Sequence, residues 1–225
     1  DDNELIEKEW DINAQLNAIY GSHLRLGFTH RKNVGSRLDK SSLAIDGNTT
    51  LFTEQLWHLS ANIKPILGLN LNTNVNVGDT IDYSNNRLGY KKQLRFSANW
   101  NVNKHLELRA KQVFRQLNAD GANVFNARLT DIRATYQFDV KSFIRLTMIY
   151  NNTSRNPDNY LYLAPEDVTK HSKNFSSELL YAYKINPQTV FYLGYSDNRD
   201  TEASFSDLER NQRSIFMKFS YAWIK

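Results

Sequence analysis

Cysteine is absent from all 225 residues, which excludes a disulfide scaffold, a thiolate zinc site and a cysteine nucleophile. No stretch approaches the roughly 18 consecutive apolar residues of a membrane-spanning helix, and the mean hydropathy is −0.60. The first residues, Asp1-Asp2-Asn3-Glu4, have neither the basic region nor the apolar centre of a signal peptide. Hydropathy by itself would therefore indicate a soluble protein.

An excess of one charge sign is also lacking. The chain has 28 basic and 24 acidic residues, mixed along its length, for a net charge of +4. So mild a balance argues against a dedicated nucleic-acid binder, and we expect no nucleic acid among the partners. Hydrophobic residues at 40% and charged residues at 23% are close to ordinary folded proteins and argue against wholesale disorder.

What the sequence does contain is a strict alternation of polar and apolar residues. From Trp10 to Tyr20 every second residue is apolar, and polar residues such as Asp11 and Asn13 lie between them. The same alternation recurs around 67–77, 94–100, 132–138 and 215–223. A period of two over about ten residues is typical of a strand with one apolar face and one polar face.

Weaker alternation occupies 23–31, 51–64, 105–117, 143–152, 174–185 and 189–197. Together the segments predict about eleven strands, most of them longer than the 5–6 residues that are typical of globular sheets. No amphipathic helix of more than a couple of turns is apparent in the pattern.

The lengths of the connections indicate how the strands are arranged. Tight links near 20–23, 64–66, 101–104, 139–142 and 186–188 alternate with long polar links near 32–50, 78–88, 116–124, 153–173 and 198–212. In an up-and-down sheet all short links then fall at one end, as in outer-membrane barrels with short periplasmic turns and longer extracellular loops. We therefore predict an all-β fold, a transmembrane antiparallel up-and-down β-barrel. A Greek-key sandwich gives no reason for such sorting.

Aromatic residues cluster at the short-turn ends of the predicted strands. Amphipathic rings favour the headgroup level of a membrane, so we predict an interfacial aromatic girdle there. The alternative is a soluble barrel or sandwich whose bulky residues cap its core. The predicted girdle consists of Tyr20, Trp100, Phe138, Phe143, Tyr183 and Trp223.

An odd number of strands is unusual for a complete single-chain barrel, which normally has an even number. An open sheet edge cannot face lipid, because its backbone groups would stay unsatisfied. We therefore expect residues 1–225 to be the C-terminal portion of a larger even-stranded barrel, with upstream strands and a periplasmic domain missing.

Several segments carry a family resemblance. They include Ala127-Arg128-Leu129-Thr130-Asp131-Ile132-Arg133-Ala134-Thr135-Tyr136-Gln137-Phe138, Asn186-Pro187-Gln188-Thr189-Val190-Phe191-Tyr192-Leu193-Gly194-Tyr195 and Phe216-Met217-Lys218-Phe219-Ser220-Tyr221-Ala222-Trp223. Over residues 70–225 the chain resembles the C-terminal barrel of a largely uncharacterised group of Gram-negative outer-membrane proteins. The N-terminal domain of that group is similar to a family 9 carbohydrate-binding module. The resemblance implies glycan-related work and names no catalytic residues.

Candidate catalytic residues are few. Of the five histidines, only His58 lies mid-strand on the polar face, with Ser60 two residues on. A histidine that faces a lumen is more often a solvated channel residue than a base. No third group that could orient a base for nucleophilic catalysis is recognisable. Residues 1–225 are therefore expected to be non-enzymatic, and an enzymatic activity in an upstream part stays open.

Carboxylates cluster in two predicted loops, with Asp197, Asp200 and Glu202 in one and Asp158, Glu166 and Asp167 in the other. Oxygen ligands could hold a hard cation, but Arg199 interrupts the first cluster and ligand spacing is missing. Solvated loops explain both clusters better, so we predict no metal site and no cofactor.

The polar face leans basic. Rings of basic side chains favour anions, and guanidinium groups also stack on sugars or peptides. The alternative is that these charges pair with one another or with a plug. The predicted lumen-lining residues are Arg25, His58, Arg95, Arg109, Arg133, Arg145 and Lys184, together with Lys64, Lys111 and Lys218, and with Asp11, Glu107 and Glu178 as acidic counterparts.

These observations predict a porin-like channel or membrane anchor in the outer membrane of a Gram-negative bacterium. The expected partners are the lipid bilayer and lipopolysaccharide, a saccharide or anionic ligand, and a periplasmic or lumen partner protein. Two alternatives stay open. One is an outer-membrane hydrolase whose site lies in the loops or in the missing part. The other is a barrel sheath around a partner protein.

Overall fold

The computed structural model describes residues 7–35, 51–186, 189–201 and 208–221. It contains eleven antiparallel strands, which pair in chain order into one open sheet. The strands are β1 Glu7–Asn17, β2 His23–Val34, β3 Leu51–Ile63, β4 Leu69–Asp82, β5 Arg87–Asn101, β6 Leu106–Ala119, β7 Ala122–Gln137, β8 Ser142–Arg155, β9 His171–Asn186, β10 Thr189–Asp200 and β11 Glu209–Tyr221.

The predicted number of strands and the up-and-down topology are both confirmed. Every strand pairs with its neighbours in sequence, and β1 and β11 form the two edges of the described sheet. Three short 3₁₀ segments, Ile19–Gly21, Pro157–Asn159 and Pro165–Asp167, are the only helical elements among the described residues. No helix in that part of the chain is long and apolar enough to cross a membrane.

The exposure of side chains runs opposite to their polarity. In β3 and β5 the alternate positions that include Trp57 and Phe96 are mostly exposed, and the positions between them, which include His58 and Arg95, are mostly half-buried or buried. Trp57 is 55% exposed and Leu26 is 48% exposed, whereas Glu54 is only 3% exposed. We call the two sides of the sheet the apolar face and the polar face. A water-soluble sheet would shield its apolar face, and this one shields its polar face.

Tight turns join the strands at the predicted short-turn end. Tyr20 and Gly21 have φ of 57° and 71° in the β1–β2 turn. In the β7–β8 turn, the Asp139 carboxylate accepts hydrogen bonds from the backbone N–H groups of Lys141 (2.7 Å) and Ser142 (2.8 Å). These bonds hold the pKa of the Asp139 carboxyl below its usual range. The turn at 187–188 lies outside the described residues.

At the other end of the sheet, two of the predicted long links are wrong. Residues 78–88 and 116–124 contain mostly strand, and the actual turns are only 83–86 and 120–121. Asp120 and Gly121 both have positive φ, 52° and 76°, which makes a two-residue hairpin turn of the type that Asp-Gly favours. The polar composition of these segments comes from long strands that continue past the apolar part of the sheet.

One interruption breaks the hydrogen-bond ladder between β3 and β4. Their pairing ends at Leu56 and Gly78, beyond which side chains replace the missing backbone partners. The Glu54 carboxylate accepts the Ile81 N–H at 3.0 Å, and the Asp79 carboxylate accepts the Gln55 N–H at 3.3 Å. Arg31 holds Glu54 in place through an ion pair of 2.7 Å. Buried backbone donors need such partners.

Gly78 makes this interruption feasible. Its φ is 147°, and an added Cβ would lie 2.1 Å from the Gln55 carbonyl oxygen. Only glycine adopts this backbone conformation readily, and any side chain would force the two strands apart.

We expect Gly78→Ala to lower the free energy of unfolding by roughly 3 kcal/mol or more, since backbone strain and steric overlap add. Gly121→Ala is the matched control, because Gly121 has a positive φ with nothing within 4 Å of an added Cβ. The control should cost only about 1–2 kcal/mol. Urea unfolding in lipid vesicles measures both, and equal losses would contradict the close approach of β3 and β4.

Candidate functional site

The polar face brings the predicted lumen-lining residues together on one side of the sheet. Residues directly opposite each other on paired strands share a face, so the observed register assigns every residue in a strand to one side. The seven predicted residues Arg25, His58, Arg95, Arg109, Arg133, Arg145 and Lys184 all lie on the polar face. Whether this face lines a lumen stays a prediction.

His58 crosses a neighbouring strand to reach its partner. Gly27 on β2 lies between His58 on β3 and Asn13 on β1, and the His58 Nε2 atom lies 2.7 Å from the Asn13 side-chain oxygen. A Cβ on Gly27 would lie 1.9 Å from that Nε2 atom. The imidazole is thus held by an amide across three strands rather than by the carboxylate that orients a catalytic base.

Basic side chains dominate the centre of the polar face. Arg109 and Arg133 are directly opposite each other on β6 and β7, a placement that repels like charges. Arg109 pairs with Glu107 at 2.6 Å, whereas the Arg133 Nε atom is buried without a hydrogen-bond partner. Sequence reasoning missed five further basic residues on this face, Arg31, Arg87, Lys91, Arg115 and Arg155. Extending the alternation along the full strands would have found them.

Asparagine side chains cover the polar face near the short turns of β3, β4 and β5. The Asn62 side-chain nitrogen donates to the side-chain oxygen of Asn70 at 2.8 Å and to that of Asn72 at 2.5 Å. Amide groups both donate and accept hydrogen bonds. This part of the face can therefore bind water or hydroxyl groups without a charge preference.

The long link between β8 and β9 folds back onto the sheet. Arg87 on β5 is the hub, because its guanidinium pairs with Asp82 (3.2 Å) and Asp120 (2.7 Å) and donates to the Asn159 carbonyl oxygen at 2.6 Å. The Leu161 N–H donates to the Asn85 side-chain oxygen at 2.7 Å. Residues 156–170 are thus tied to the ends of two hairpins, β4–β5 and β6–β7.

A small apolar cluster completes this attachment. Leu117, Ala119 and Val124 are buried at the end of the β6–β7 hairpin, and Tyr160 packs against them. Burial raises the pKa of the Tyr160 hydroxyl. The Asn159 side-chain nitrogen lies within 3.4 Å of the carbonyl oxygens of Ala119, Ala122 and Asn123. The link is therefore held in a defined position against the end of the β6–β7 hairpin.

The predicted aromatic girdle is only partly on one face. Trp100 and Tyr183 lie on the apolar face near the short turns, Phe138 contacts Tyr136 with ring centroids 5.1 Å apart, and Tyr20 is exposed in its turn. Phe143 differs, because it is opposite Gln137 and Ala182 on the polar face, where the Arg145 guanidinium lies 5.5 Å from its ring centroid. Trp223 lies outside the described residues.

A second aromatic group on the apolar face was not anticipated. Phe28 lies between Trp10 and Trp57, with ring centroids 5.6 Å and 4.8 Å apart, and His30 stacks on Trp10 at 5.2 Å. Alternation in the sequence places these rings on a common face but does not show that they touch. The register of β1–β3 brings them into contact.

The two carboxylate clusters are not brought together as metal sites. Among the described residues no group of three His, Asp or Glu side chains has a suitable arrangement. Asp197 is 4% exposed and accepts from the Arg199 Nε atom at 2.9 Å, with the Arg213 Nε atom 3.6 Å away. Its charge is thus balanced by guanidinium groups. Glu202 lies outside the described residues.

No protein-family model matches this chain, and the search of curated proteins finds no match either. Among solved structures, the chain is similar to the NanC porin in a rhombohedral crystal form. The sequence identity is 11%, the TM-score is 0.39, and the match covers 95% of this chain and 99% of the porin chain. The family resemblance of residues 70–225 gains no support from these matches and stays a prediction.

The hub residue Arg87 gives a test of the attached link. We expect Arg87→Met to lower the free energy of unfolding by about 3 kcal/mol, because Asp82 keeps a buried carboxylate that has lost its cation. The same change should speed hydrogen exchange at the Leu161 amide, which mass spectrometry measures.

The matched control is Asp120→Asn. This change removes the exposed partner of Arg87, since the Asp120 side chain is 69% accessible. An exposed ion pair contributes at most about 1 kcal/mol, so exchange at Leu161 should stay nearly unchanged. Similar effects of the two substitutions would contradict the assignment of Arg87 as the hub.

Proposed function

We propose that this chain forms part of the wall of a β-barrel in the outer membrane of a Gram-negative bacterium, where it acts as a channel or a membrane anchor. The observation that carries the proposal is the reversed exposure of the sheet. Large apolar side chains on β2, β3, β5 and β10 are exposed, while polar side chains on the other face are shielded. Exposing a contiguous apolar face to water is unfavourable, and a bilayer removes that cost.

The size of the apolar surface supports lipid as its partner. On β5 the apolar positions run from Leu94 to Trp100, roughly 20 Å along a strand at about 3.4 Å per residue. This is close to the apolar band of about 25 Å on outer-membrane barrels. Beyond Leu94 the apolar run on this face is interrupted by Lys92, with Gln116 directly opposite on β6, before the exposed Tyr90 follows on the same face. A lysine followed by a tyrosine suits the headgroup level of a membrane, where amphipathic side chains concentrate.

The open edges of the sheet support a larger barrel. In the described residues β1 pairs only with β2, and β11 only with β10. In lipid, unpaired edges leave backbone groups unsatisfied. We therefore propose that further strands, from the upstream portion that the family resemblance implies, complete an even-stranded barrel. The resemblance also supports a periplasmic carbohydrate-binding domain and hence a glycan-related role.

The basic polar face supports an anion-preferring lumen. Arg95, Lys111 and Arg115 lie near one another on β5 and β6, and a ring of such charges attracts anions. The hydrolase and sheath alternatives have no comparable support in the geometry. Conductance measurements in a planar bilayer distinguish the channel from the other roles, since a protein that does not conduct would favour an anchor or a sheath.

Lipid contact can be measured at single tryptophans. We expect Trp57 and Trp100, each as the sole tryptophan of the full-length protein in vesicles, to be quenched by brominated lipids. Deep bromines should quench Trp57 more than Trp100, because Trp100 lies one residue before the short-turn end of β5. The matched control is Tyr192→Trp in a background without other tryptophans, since Tyr192 lies on the polar face opposite Lys218. Equal quenching of the control would sink the membrane assignment.

Channel function has its own test. The full-length protein in a planar bilayer should conduct, with chloride preferred over potassium in a salt gradient. The double variant Arg109→Gln and Arg133→Gln should lower that preference about two- to fivefold, since each charge contributes up to about 1 kcal/mol in water. Lys104→Gln, in the exposed β5–β6 turn, is the control and should leave the preference unchanged. An equal loss in the control would contradict a lumen lined by Arg109 and Arg133.

A further inference from the structure

A cavity of about 350 Å³ opens on the polar face where β5, β6, β7 and β8 adjoin. Its floor follows one row of the register across the four strands. Arg95 is directly opposite Val113, Val113 is opposite Leu129, and Leu129 is opposite Asn151. A cation, two apolar side chains and an amide thus follow one another across the sheet.

The charge of this cavity is one-sided. Lys111 and Arg115 lie two residues on either side of Val113 and line the cavity together with Arg95. A fourth basic residue, Arg128, also borders the cavity, but it belongs to the other face of β7, where its guanidinium lies 5.1 Å from the Phe114 ring centroid. None of Arg95, Lys111 and Arg115 forms an ion pair within residues 7–35, 51–186, 189–201 and 208–221. Asp131 is directly opposite Lys111 but is not part of the lining. The lining therefore carries cationic groups without a carboxylate.

The Arg95 side chain has a buried hydrogen-bond donor that is not satisfied. Its Nε atom is buried and has no hydrogen-bond partner. A buried donor without a partner is costly, and a guanidinium group binds a carboxylate or phosphate with two parallel hydrogen bonds. An anionic group at this edge of the cavity would satisfy Arg95 and offset the repulsion among the three cations.

The remaining lining indicates what the anionic group is attached to. Val113 is buried and forms an apolar floor with Leu129, which suits the nonpolar face of a compact ring. On the far side, Asn151 and Thr153 offer an amide and a hydroxyl group, which suit the hydroxyl groups of a ligand. Inorganic phosphate would use the cations alone and leave the floor and the far side without a partner.

We infer that this cavity binds a small hydroxylated organic acid, namely a sugar acid or a sugar phosphate, with its anionic group on Arg95 and Arg115. The inference rests on the proposed function in that the polar face must line an accessible lumen. Binding sites along a conduction path hold a solute weakly enough to release it. The cavity would therefore bind its ligand transiently during passage and not retain it.

The test uses isothermal titration of the full-length protein in detergent. The probes are glucuronate and glucose 6-phosphate. Glucose is the uncharged control, and inorganic phosphate is the control anion without a sugar ring. We expect saturable binding of glucuronate or glucose 6-phosphate, and binding of glucose and of inorganic phosphate that is weaker by about tenfold. Which of the two anionic sugars binds distinguishes a carboxylate from a phosphate ligand.

Two substitutions should each weaken the binding of the anionic sugar by about tenfold, because each removes a charged hydrogen bond. They are Arg95→Gln and Arg115→Gln. The second keeps the test usable if the first fails to fold, since Arg115 is exposed. The matched control is Lys92→Gln, because Lys92 is an exposed residue on the same strand as Arg95 but on the opposite face.

Unchanged affinity in the Lys92→Gln variant, together with the two losses, would support the site. Equal losses in all three variants would overturn it in favour of diffuse attraction, and equal binding of glucose would overturn the anionic ligand. Bilayer recordings distinguish this inference from the proposed function. Conductance without any saturable binding refutes the cavity alone, whereas binding without conductance refutes the channel alone.

Discussion

Every other feature of this structure depends on the hydrogen-bond ladder between antiparallel neighbours. Eleven strands pair in chain order, so the backbone polar groups of the inner strands are satisfied within the sheet. This frees the side chains from any role in backbone pairing. One face can then be apolar and exposed while the other is polar and shielded, which is the arrangement that a hydrocarbon surround requires.

Departures from the ladder are where charged side chains become structural. Where β3 and β4 separate, carboxylates of Glu54 and Asp79 accept the backbone N–H groups that the ladder no longer serves. Arg31 in turn balances Glu54. Arg87 performs the same task for the link of residues 156–170, where it joins two carboxylates and a carbonyl oxygen. These groups stabilise the sheet and its attached link, whereas Arg95, Lys111 and Arg115 form no ion pair within the described residues.

Most of the fold could be predicted from the sequence because its signal is local. The period of two in segments such as Trp10–Tyr20 identified the strands, and it assigned Arg25, His58 and Arg145 to the polar face. Phe143 was misassigned because proximity to a turn was taken as the criterion instead of parity within β8. The loops at 78–88 and 116–124 were misassigned because polar strand ends resemble loops, although Asp120-Gly121 is itself a turn signal.

The sequence alone determined the fold class, the number of strands and the face of strand residues away from the bulges in the β6–β7, β9–β10 and β10–β11 pairs, since these follow from alternation between neighbours in the chain. Only the tertiary structure decided which residues meet across strands. The bond of His58 to Asn13 over Gly27, the attachment of residues 156–170 to Arg87, and the row from Arg95 to Asn151 all depend on register. Register is set by hydrogen bonds and packing between segments far apart in sequence, and a one-residue shift would move each of these partners to the opposite face.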